Sequence, residues 1–254
     1  MPKKLLESPR RAAHPMKLDL LAIAAHPDDV ELTCGGTLIK MAERGYKTGI
    51  LDLTAGEMGT RGTPETRAKE SGLAAEFLGV SWRKVLGVPD SDVQASRQHK
   101  LSLAAVIREV RPRTVILPYW DARHPDHYHA STLGYEGCFL AGLKQAPIPG
   151  EAYRPFKILY STAFVADLRP TFVVDITQQY EKRKKAILAY ETQFLAKKGE
   201  EKNEVYLAID ELEDQMNQLA RHFGQMIAVK YGEPFLVKEL LKVDDVVEME
   251  VRSI

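Results

Sequence analysis

Apolar and polar positions alternate along the chain in blocks that predict strands followed by helices. The first block, Leu18–Ala25, is almost continuously apolar, as in a strand that is buried on both faces. The predicted strands are 18–25, 48–54, a short one near Val85, 114–117, 158–161 and 172–176, and the predicted helices are 35–44, 64–78, 101–110, one ending at Ala141, 177–194 and 205–229. This alternation predicts a single α/β domain, a three-layer sandwich with a mostly parallel central sheet.

The two ends of the chain are expected to lie outside this domain. Residues 1–16 are basic but lack the continuous apolar core of a signal peptide, and we expect a loosely ordered N-terminal tail. The domain is expected to span residues 17–240, and residues 241–254 are expected to form a frayed C-terminal tail after the last helix.

Two polar segments follow predicted strands, His26-Pro27-Asp28-Asp29 and His124-Pro125-Asp126-His127. A proline disfavours helical geometry in the residue before it, so each leading histidine should lie where its strand ends. If the two strands are neighbours at the point where the strand order reverses, both ends flank one crevice. That geometry would bring His26, Asp29 and His127 together.

Two imidazoles and one carboxylate form a typical hydrolytic zinc site, which leaves a position for water. Asp28 would then remain unligated and act as general base, and a protonated His124 would stabilise the oxyanion. Asp126 would accept a hydrogen bond from an imidazole and set its tautomer. The competing interpretation is that the aspartates cap helices and the histidines are solvated. Two matching segments after two apolar strands favour the metal site.

These residues also resemble a known family. Ala25-His26-Pro27-Asp28-Asp29, Gly35-Gly36-Thr37 and His124-Pro125-Asp126-His127 are similar to the motifs of the LmbE/PIG-L-type zinc N-deacetylases, over about residues 18–231. The resemblance implies a Rossmann-like fold, one zinc ion per chain and removal of acetyl groups from N-acetylglucosamine-type substrates. It also implies that His26, Asp29 and His127 are metal ligands, Asp28 is the base, and His124 and Asp126 assist. His129 departs from the pattern, and we expect it to face away from His127.

Further similarity in residues 52–63, Arg123 and residues 189–194 indicates the bacillithiol-biosynthesis branch, whose substrate is N-acetylglucosaminyl-malate. Arg61 lies in a glycine-flanked loop, and its guanidinium would suit a malate carboxylate. Arg123, next to His124, would serve the same anion or a neighbouring acid. Tyr190 and Gln193 are three residues apart and by resemblance would contact substrate hydroxyls, although packing is an alternative for Tyr190.

The amino-acid composition limits the kinds of partner that the protein is expected to bind. The chain has 35 basic and 35 acidic residues, so no global field favours nucleic acid or an anionic membrane. Cys34 and Cys138 are its two cysteines, which indicates reduced thiols in the cytoplasm. No apolar stretch approaches the roughly 20 residues that span a bilayer. We therefore expect a small amino-sugar substrate, no nucleic-acid or membrane partner, and, by resemblance, a homo-oligomer.

Other functions remain open at this point. The same ligands would serve another metal hydrolase, such as a phosphoesterase or a peptide amidase, although no further carboxylates are arranged for two metals. A non-catalytic metal- or sugar-binding module would not require Asp28 and His124. A nucleotide-binding domain is disfavoured because Gly35-Gly36 lacks the Gly-x-Gly-x-x-Gly pattern.

Overall fold

The computed structural model describes residues 16–162, 165, 167–195, 209–249 and 251. Strands and helices alternate in the first part of the chain, and the last strand follows the last helix. The elements are β1 (Leu20–Ala24), α1 (Asp29–Glu43), β2 (Thr48–Asp52), α2 (Pro64–Leu78), β3 (Trp82–Val85), α3 (Arg97–Val110), β4 (Thr114–Pro118), α4 (Pro125–Ala141), β5 (Lys157–Ser161), β6 (Phe172–Asp175), α5 (Tyr180–Leu188), α6 (Glu191–Phe194), α7 (Ile209–Met226) and β7 (Gly232–Leu236). The described helices lack the length and apolar character of a membrane span.

The strands form one sheet in the order β3-β2-β1-β4-β5-β7-β6. The pairs from β3 through β5 are parallel, whereas β7 is antiparallel to both β5 and β6. Helices α3 and α4 pack on one face, and α1, α2 and α5 pack on the other. The predicted α/β sandwich with a mostly parallel sheet is therefore confirmed.

The strand order reverses beside β1, which fixes the position of a ligand site. From β1 the chain moves outward through β2 to β3 and then returns to place β4 on the other side of β1. Leu20 to Ala22 pair with Thr114 to Ile116, so β1 and β4 are parallel neighbours. Their carboxyl ends open at the same edge, where ligands bind in sheets of this type.

Three element predictions were wrong. Helix α1 begins at Asp29 instead of Gly35, with a kink at Cys34. The predicted helix 177–194 is divided into α5 and α6, because Tyr190 adopts a non-helical conformation between them. Strand β7 lies between the predicted last helix and the predicted C-terminal tail, in residues for which no strand was predicted. Residues 1–15, where the N-terminal tail was predicted, and the start of the predicted helix 205–229 lie outside the described residues.

The missed strand explains the Gly35-Gly36-Thr37 motif. The buried Glu233 carboxylate of β7 accepts hydrogen bonds from the Gly36 N–H at 2.8 Å and the Thr37 N–H at 2.7 Å. A Cβ on Gly36 would lie 2.9 Å from both Glu233 and Ile176, so the close approach requires glycine. Arg183 neutralises the same carboxylate from 3.2 Å. The motif thus attaches α1 to the antiparallel part of the sheet.

Candidate metal centre

The two polar segments meet at the edge where β1 and β4 end. Asp29 lies between two imidazoles, with Oδ1 3.2 Å from His127 Nε2 and Oδ2 3.5 Å from His26 Nδ1. One potential ligand atom from each of these residues lies within 4.8 Å of the other two. The His26, Asp29 and His127 side chains therefore form a group that can bind a metal.

A second group, His26, His124 and Asp126, satisfies the same distance criterion. Two of its potential ligand atoms accept hydrogen bonds from backbone N–H groups, whereas in the first group one Asp29 oxygen faces each imidazole. His124 Nδ1 accepts the Asp126 N–H at 3.2 Å, and Asp126 Oδ2 accepts the Ser91 N–H at 2.9 Å. Because the groups share His26, they are alternatives for one centre, and the group with Asp29 and His127 is the better ligand set.

The carboxylates around His26 and His127 favour positive charge at the His26, Asp29 and His127 group. Burial alone would lower the pKa of His26, but hydrogen bonds to Asp29 and Asp90 raise it to about 11. Burial acts against the charge of His127 as well, yet the Asp29 carboxylate raises the pKa of His127. The pKa of Asp29 is held well below its usual range by both histidines, despite its burial. A divalent cation would supply the charge that these carboxylates attract, and a nitrogen–nitrogen–oxygen donor set suits zinc.

The second nitrogen of His26 is held by two carboxylates. Its Nε2 lies 3.1 Å from Asp90 Oδ1 and 3.2 Å from Asp126 Oδ2. Carboxylates in this position orient a ligating imidazole and increase its basicity. No role was predicted for Asp90 from the sequence. Its position in the loop that follows β3, at the same edge of the sheet, was the available signal.

Asp28 differs from its neighbours in backbone and in charge. Immediately before α1 it adopts φ 108° and ψ −29°, a backbone conformation that residues other than glycine rarely adopt. Burial, together with the nearby Asp29 carboxylate, raises the pKa of Asp28 to about 8. Strain and a raised pKa at one carboxyl group are features of functional sites.

Asp28 faces a cavity of about 280 Å³ in front of the metal group. The cavity is lined by His26, Asp28, Met58, Gly59, Thr60, Arg67, Asp90, Ser91, His124 and Gln193. Since His124 Nδ1 accepts a backbone N–H, its proton resides on Nε2. Burial and the nearby His127 and His26 lower the pKa of His124. The structure therefore favours a neutral His124 over the protonated form that the sequence analysis expected.

Arg67 reaches the cavity from α2 and is 6% exposed. Its Nη2 donates a hydrogen bond to Gln193 Oε1, and its Nε has no hydrogen-bond partner among the described residues. Gln193 Nε2 in turn donates to the Arg61 carbonyl at 2.9 Å. Gln193 thus lies at the cavity and holds Arg67 there. Arg67 was not predicted as a cavity residue, because its position there depends on Gln193, which lies 126 residues away in the chain.

The other residues predicted to contact substrate do not line the described cavity. Tyr190 is fully buried and its hydroxyl donates to Glu31 at 3.1 Å, which favours the packing alternative over a substrate contact. Neither Arg61 nor Arg123 belongs to the described lining of the cavity, and the Arg123 side chain is exposed. His129 contacts the Tyr128 ring and belongs to neither metal-binding group among the described residues.

A buried ion network supports the beginning of α1. Arg83 Nη1 lies 2.6 Å from Glu31 Oε1, and Arg83 also donates two hydrogen bonds to Asp52 at 2.8 and 3.0 Å. The charges of Asp52 and Glu31 raise the pKa of Arg83 well above its usual value, although burial opposes this. Because Glu31 lies in the first turn of α1, this network fixes the turn that carries Asp29.

Comparison with known proteins agrees with the geometry. The family model for GlcNAc-PI de-N-acetylases (PIG-L) matches residues 21–137, which include both polar segments. A diacetylchitobiose deacetylase from Thermococcus kodakarensis is 31% identical over 228 residues, covering 84% of this chain and 80% of the relative. A probable N-acetyl-α-D-glucosaminyl L-malate deacetylase 2 from Bacillus anthracis is 27% identical, covering 73% of this chain and 85% of the relative.

A solved structure shares the fold of this chain. The conserved protein TT1542 from Thermus thermophilus superposes with a TM-score of 0.81 at 39% identity, covering 89% of this chain and 98% of that protein. The fold, the convergent histidine–aspartate group and these relatives together confirm the resemblance seen in the sequence. The chain belongs to the PIG-L family of N-deacetylases.

Proposed function

We propose that the protein is a zinc-dependent N-deacetylase that hydrolyses the N-acetyl group of an N-acetylglucosamine conjugate. The observation that carries this proposal is the 280 Å³ cavity in which Asp28 and His124 flank the metal-binding group. A general base and a hydrogen-bond donor beside one metal are the groups that amide hydrolysis requires. A module that only binds metal or sugar would not require a strained carboxylate there.

His26, Asp29 and His127 would hold the zinc ion. The bound ion would supply a Lewis acid and lower the pKa of a coordinated water. Asp28 accepts the proton of the attacking water, whose oxygen bonds to the acetamide carbon. Neutral His124 donates its Nε2–H to the developing oxyanion. Asp28 then delivers its proton to the sugar nitrogen as the C–N bond breaks, and acetate and the free amine leave.

Asp126 and Asp90 would act through His26 by fixing its ring and proton. Both carboxylates lie within 3.2 Å of His26 Nε2. Replacing either carboxylate should weaken metal binding more than it lowers kcat at saturating metal.

We propose N-acetylglucosaminyl-malate, an intermediate of bacillithiol biosynthesis, as the substrate. Within the cavity Arg67 would bind sugar hydroxyls, because it lies beside Asp28 and Gln193. Arg123, exposed one residue before His124, and Arg61, in the loop that Gln193 holds, would bind the malate carboxylates at the rim. The alternative substrate is N,N'-diacetylchitobiose, because a relative of that activity is 31% identical.

The test is amine release from N-acetylglucosaminyl-malate, N,N'-diacetylchitobiose and free N-acetylglucosamine, each with and without zinc. We expect zinc-dependent release and a kcat/KM for the malate conjugate at least about tenfold above the others, the value of one charge-assisted contact. A preference for chitobiose would discard the malate assignment and keep the deacetylase. Negligible release from all three would overturn the function.

Three matched variants locate the contacts. Arg123→Gln and Arg61→Gln should lower kcat/KM for the malate conjugate and leave free N-acetylglucosamine unaffected. Arg67→Gln should lower kcat/KM equally for both substrates. An equal loss for both substrates in the Arg123 and Arg61 variants would contradict the assignment of the carboxylates to the rim.

We also propose that the enzyme acts in the cytoplasm as a homo-oligomer, without a nucleic-acid or membrane partner. Cys34 and Cys138 are free and buried, which suits a reducing compartment. The charge balance of 35 to 35 provides no strong field toward polyanions.

A further inference from the structure

The described residues after β7 expose large apolar side chains. Residues 239–249 and 251, here called the arm, contain no helix or strand. Leu240 is 99% exposed, Val247 85% and Val246 80%. Single exposed apolar residues are common, but several within a short segment indicate a surface that another molecule covers.

The arm begins at a fixed point. The Lys238 ammonium lies 4.7 Å from the ring centre of Trp120, 4.9 Å from that of Tyr160 and 5.4 Å from that of Tyr135. Cation–π contacts of this kind stabilise the position of the side chain. A fixed starting point reduces the conformational entropy that the arm loses when it docks on another surface.

An apolar groove of about 790 Å³ lies beside that starting point. Tyr135 and Phe139 of α4 form one wall, Phe156, before β5, forms another, and the first arm residues of the same chain, 239–242, line the end where the arm begins. Phe156 is 78% exposed and Phe139 is 53% exposed, so residues 239–242 of the same chain leave much of both rings uncovered.

Groove and arm have complementary charge. Arg154 lies over the Phe139 ring at 4.5 Å and Lys157 over the Phe156 ring at 6.0 Å, so the aromatic walls carry positive groups. In the arm, Lys242 lines the groove and forms an ion pair with Asp244 at 2.8 Å, and Asp245 and Glu248 add further acidic charge next to the valines. An apolar and acidic strip therefore matches an apolar and basic groove.

We propose that the arm of one copy of this chain docks in the groove of a second copy, and that the arm of the second copy docks in the groove of the first. A two-fold pair buries both arms and both grooves with a single set of residues. This inference rests on the proposed homo-oligomer and specifies its interface. It is independent of the proposed hydrolysis.

The first test is the mass of the full chain in solution, measured by light scattering after size exclusion. We expect the wild type at a multiple of 28.5 kDa. The double variant Val246→Asp/Val247→Asp and the groove variant Phe156→Asp should each fall to half that mass or less. The matched control, Val85→Asp, places a charge at a 40% exposed valine on the opposite edge of the sheet and should keep the wild-type mass.

The second test does not depend on charge. Chains carrying Val247→Cys and Phe156→Cys are purified separately, mixed and oxidised, with the native Cys34 and Cys138 buried. The mixture should form a disulfide-linked dimer that contains one chain of each type. A monomeric wild type would overturn the oligomer and the arm exchange together. An oligomer whose mass resists both charged variants, or a mixture without the mixed disulfide, would overturn the arm exchange alone, and amine release would be unaffected.

Discussion

The two His-Pro-Asp segments share three residues and differ in backbone. In the first, Asp28 adopts φ 108° before α1 begins at Asp29. In the second, His124 is a regular N-cap at φ −80°, and α4 begins at Pro125. The helix therefore starts earlier in the second segment, counted from its histidine.

This offset gives equivalent aspartates opposite roles. Asp28 lines the cavity, whereas Asp126 is buried and lies against His26 and the Ser91 N–H. The strained conformation of Asp28 keeps its carboxyl group on the substrate side while the next residue, Asp29, turns to the histidines. Under the proposed mechanism, a repeated sequence thus provides a catalytic group in one copy and a positioning group in the other.

The largest effect should come from Asp28→Asn. Removing the general base should lower kcat by about three orders of magnitude, with zinc content unchanged. Zinc is measured by atomic absorption and kcat by amine release. A variant that retains more than about a tenth of the wild-type kcat with one zinc ion bound would exclude Asp28 as the base.

Asp126→Ala should mainly affect the metal. Because Asp126 orients His26, its loss should weaken zinc binding by about 10- to 100-fold, measured by competition with a chelator. At saturating zinc, kcat should remain much closer to the wild-type value than in Asp28→Asn. Zinc affinity should also fall with decreasing pH in both proteins, because protons compete for His26 and His127. If Asp126→Ala lowers kcat strongly and leaves zinc affinity unchanged, Asp126 and Asp28 do not have the different roles proposed here.

Backbone strain provides a third comparison. Asp28→Gly should raise the free energy of unfolding by about 1 kcal/mol, because glycine adopts φ 108° without a side-chain clash. Asp126→Gly should lower it by about 1 kcal/mol, because Asp126 is in the regular first turn of α4. Urea unfolding in the presence of a chelator measures both, and Asp28→Asn is the control for charge. The same sign for both glycine variants would contradict the strain at Asp28.

The smallest effect on activity should lie outside the two segments. Tyr190→Phe removes a hydroxyl that donates to Glu31, so stability should fall by about 1 kcal/mol while kcat/KM stays within about twofold. Its matched control is Gln193→Ala, which releases Arg67 and should raise KM with little change in kcat. A large rise of KM in Tyr190→Phe would restore the substrate contact that the buried position argues against.

Much of the fold was predictable because it follows from local patterns. The apolar run 18–25 and the proline after His26 determine a buried strand and the point where it ends, and the same holds for β4 and His124. The α/β class and the meeting of the two segments follow from them. Strand β7 was not predictable, since Gly232–Leu236 is short, contains Pro234 and pairs with strands far away in the chain.

By itself the sequence determined which residue types stand at the ends of β1 and β4, and hence a histidine–aspartate group suited to one metal. Only the tertiary structure decided what surrounds that group. Asp90 reaches His26 from the loop after β3, Arg67 is held by Gln193, and Tyr190 turns inward to Glu31. These contacts join residues 64 to 159 positions apart. Local spacing determines which residues share an element, whereas packing between elements determines which side chains meet.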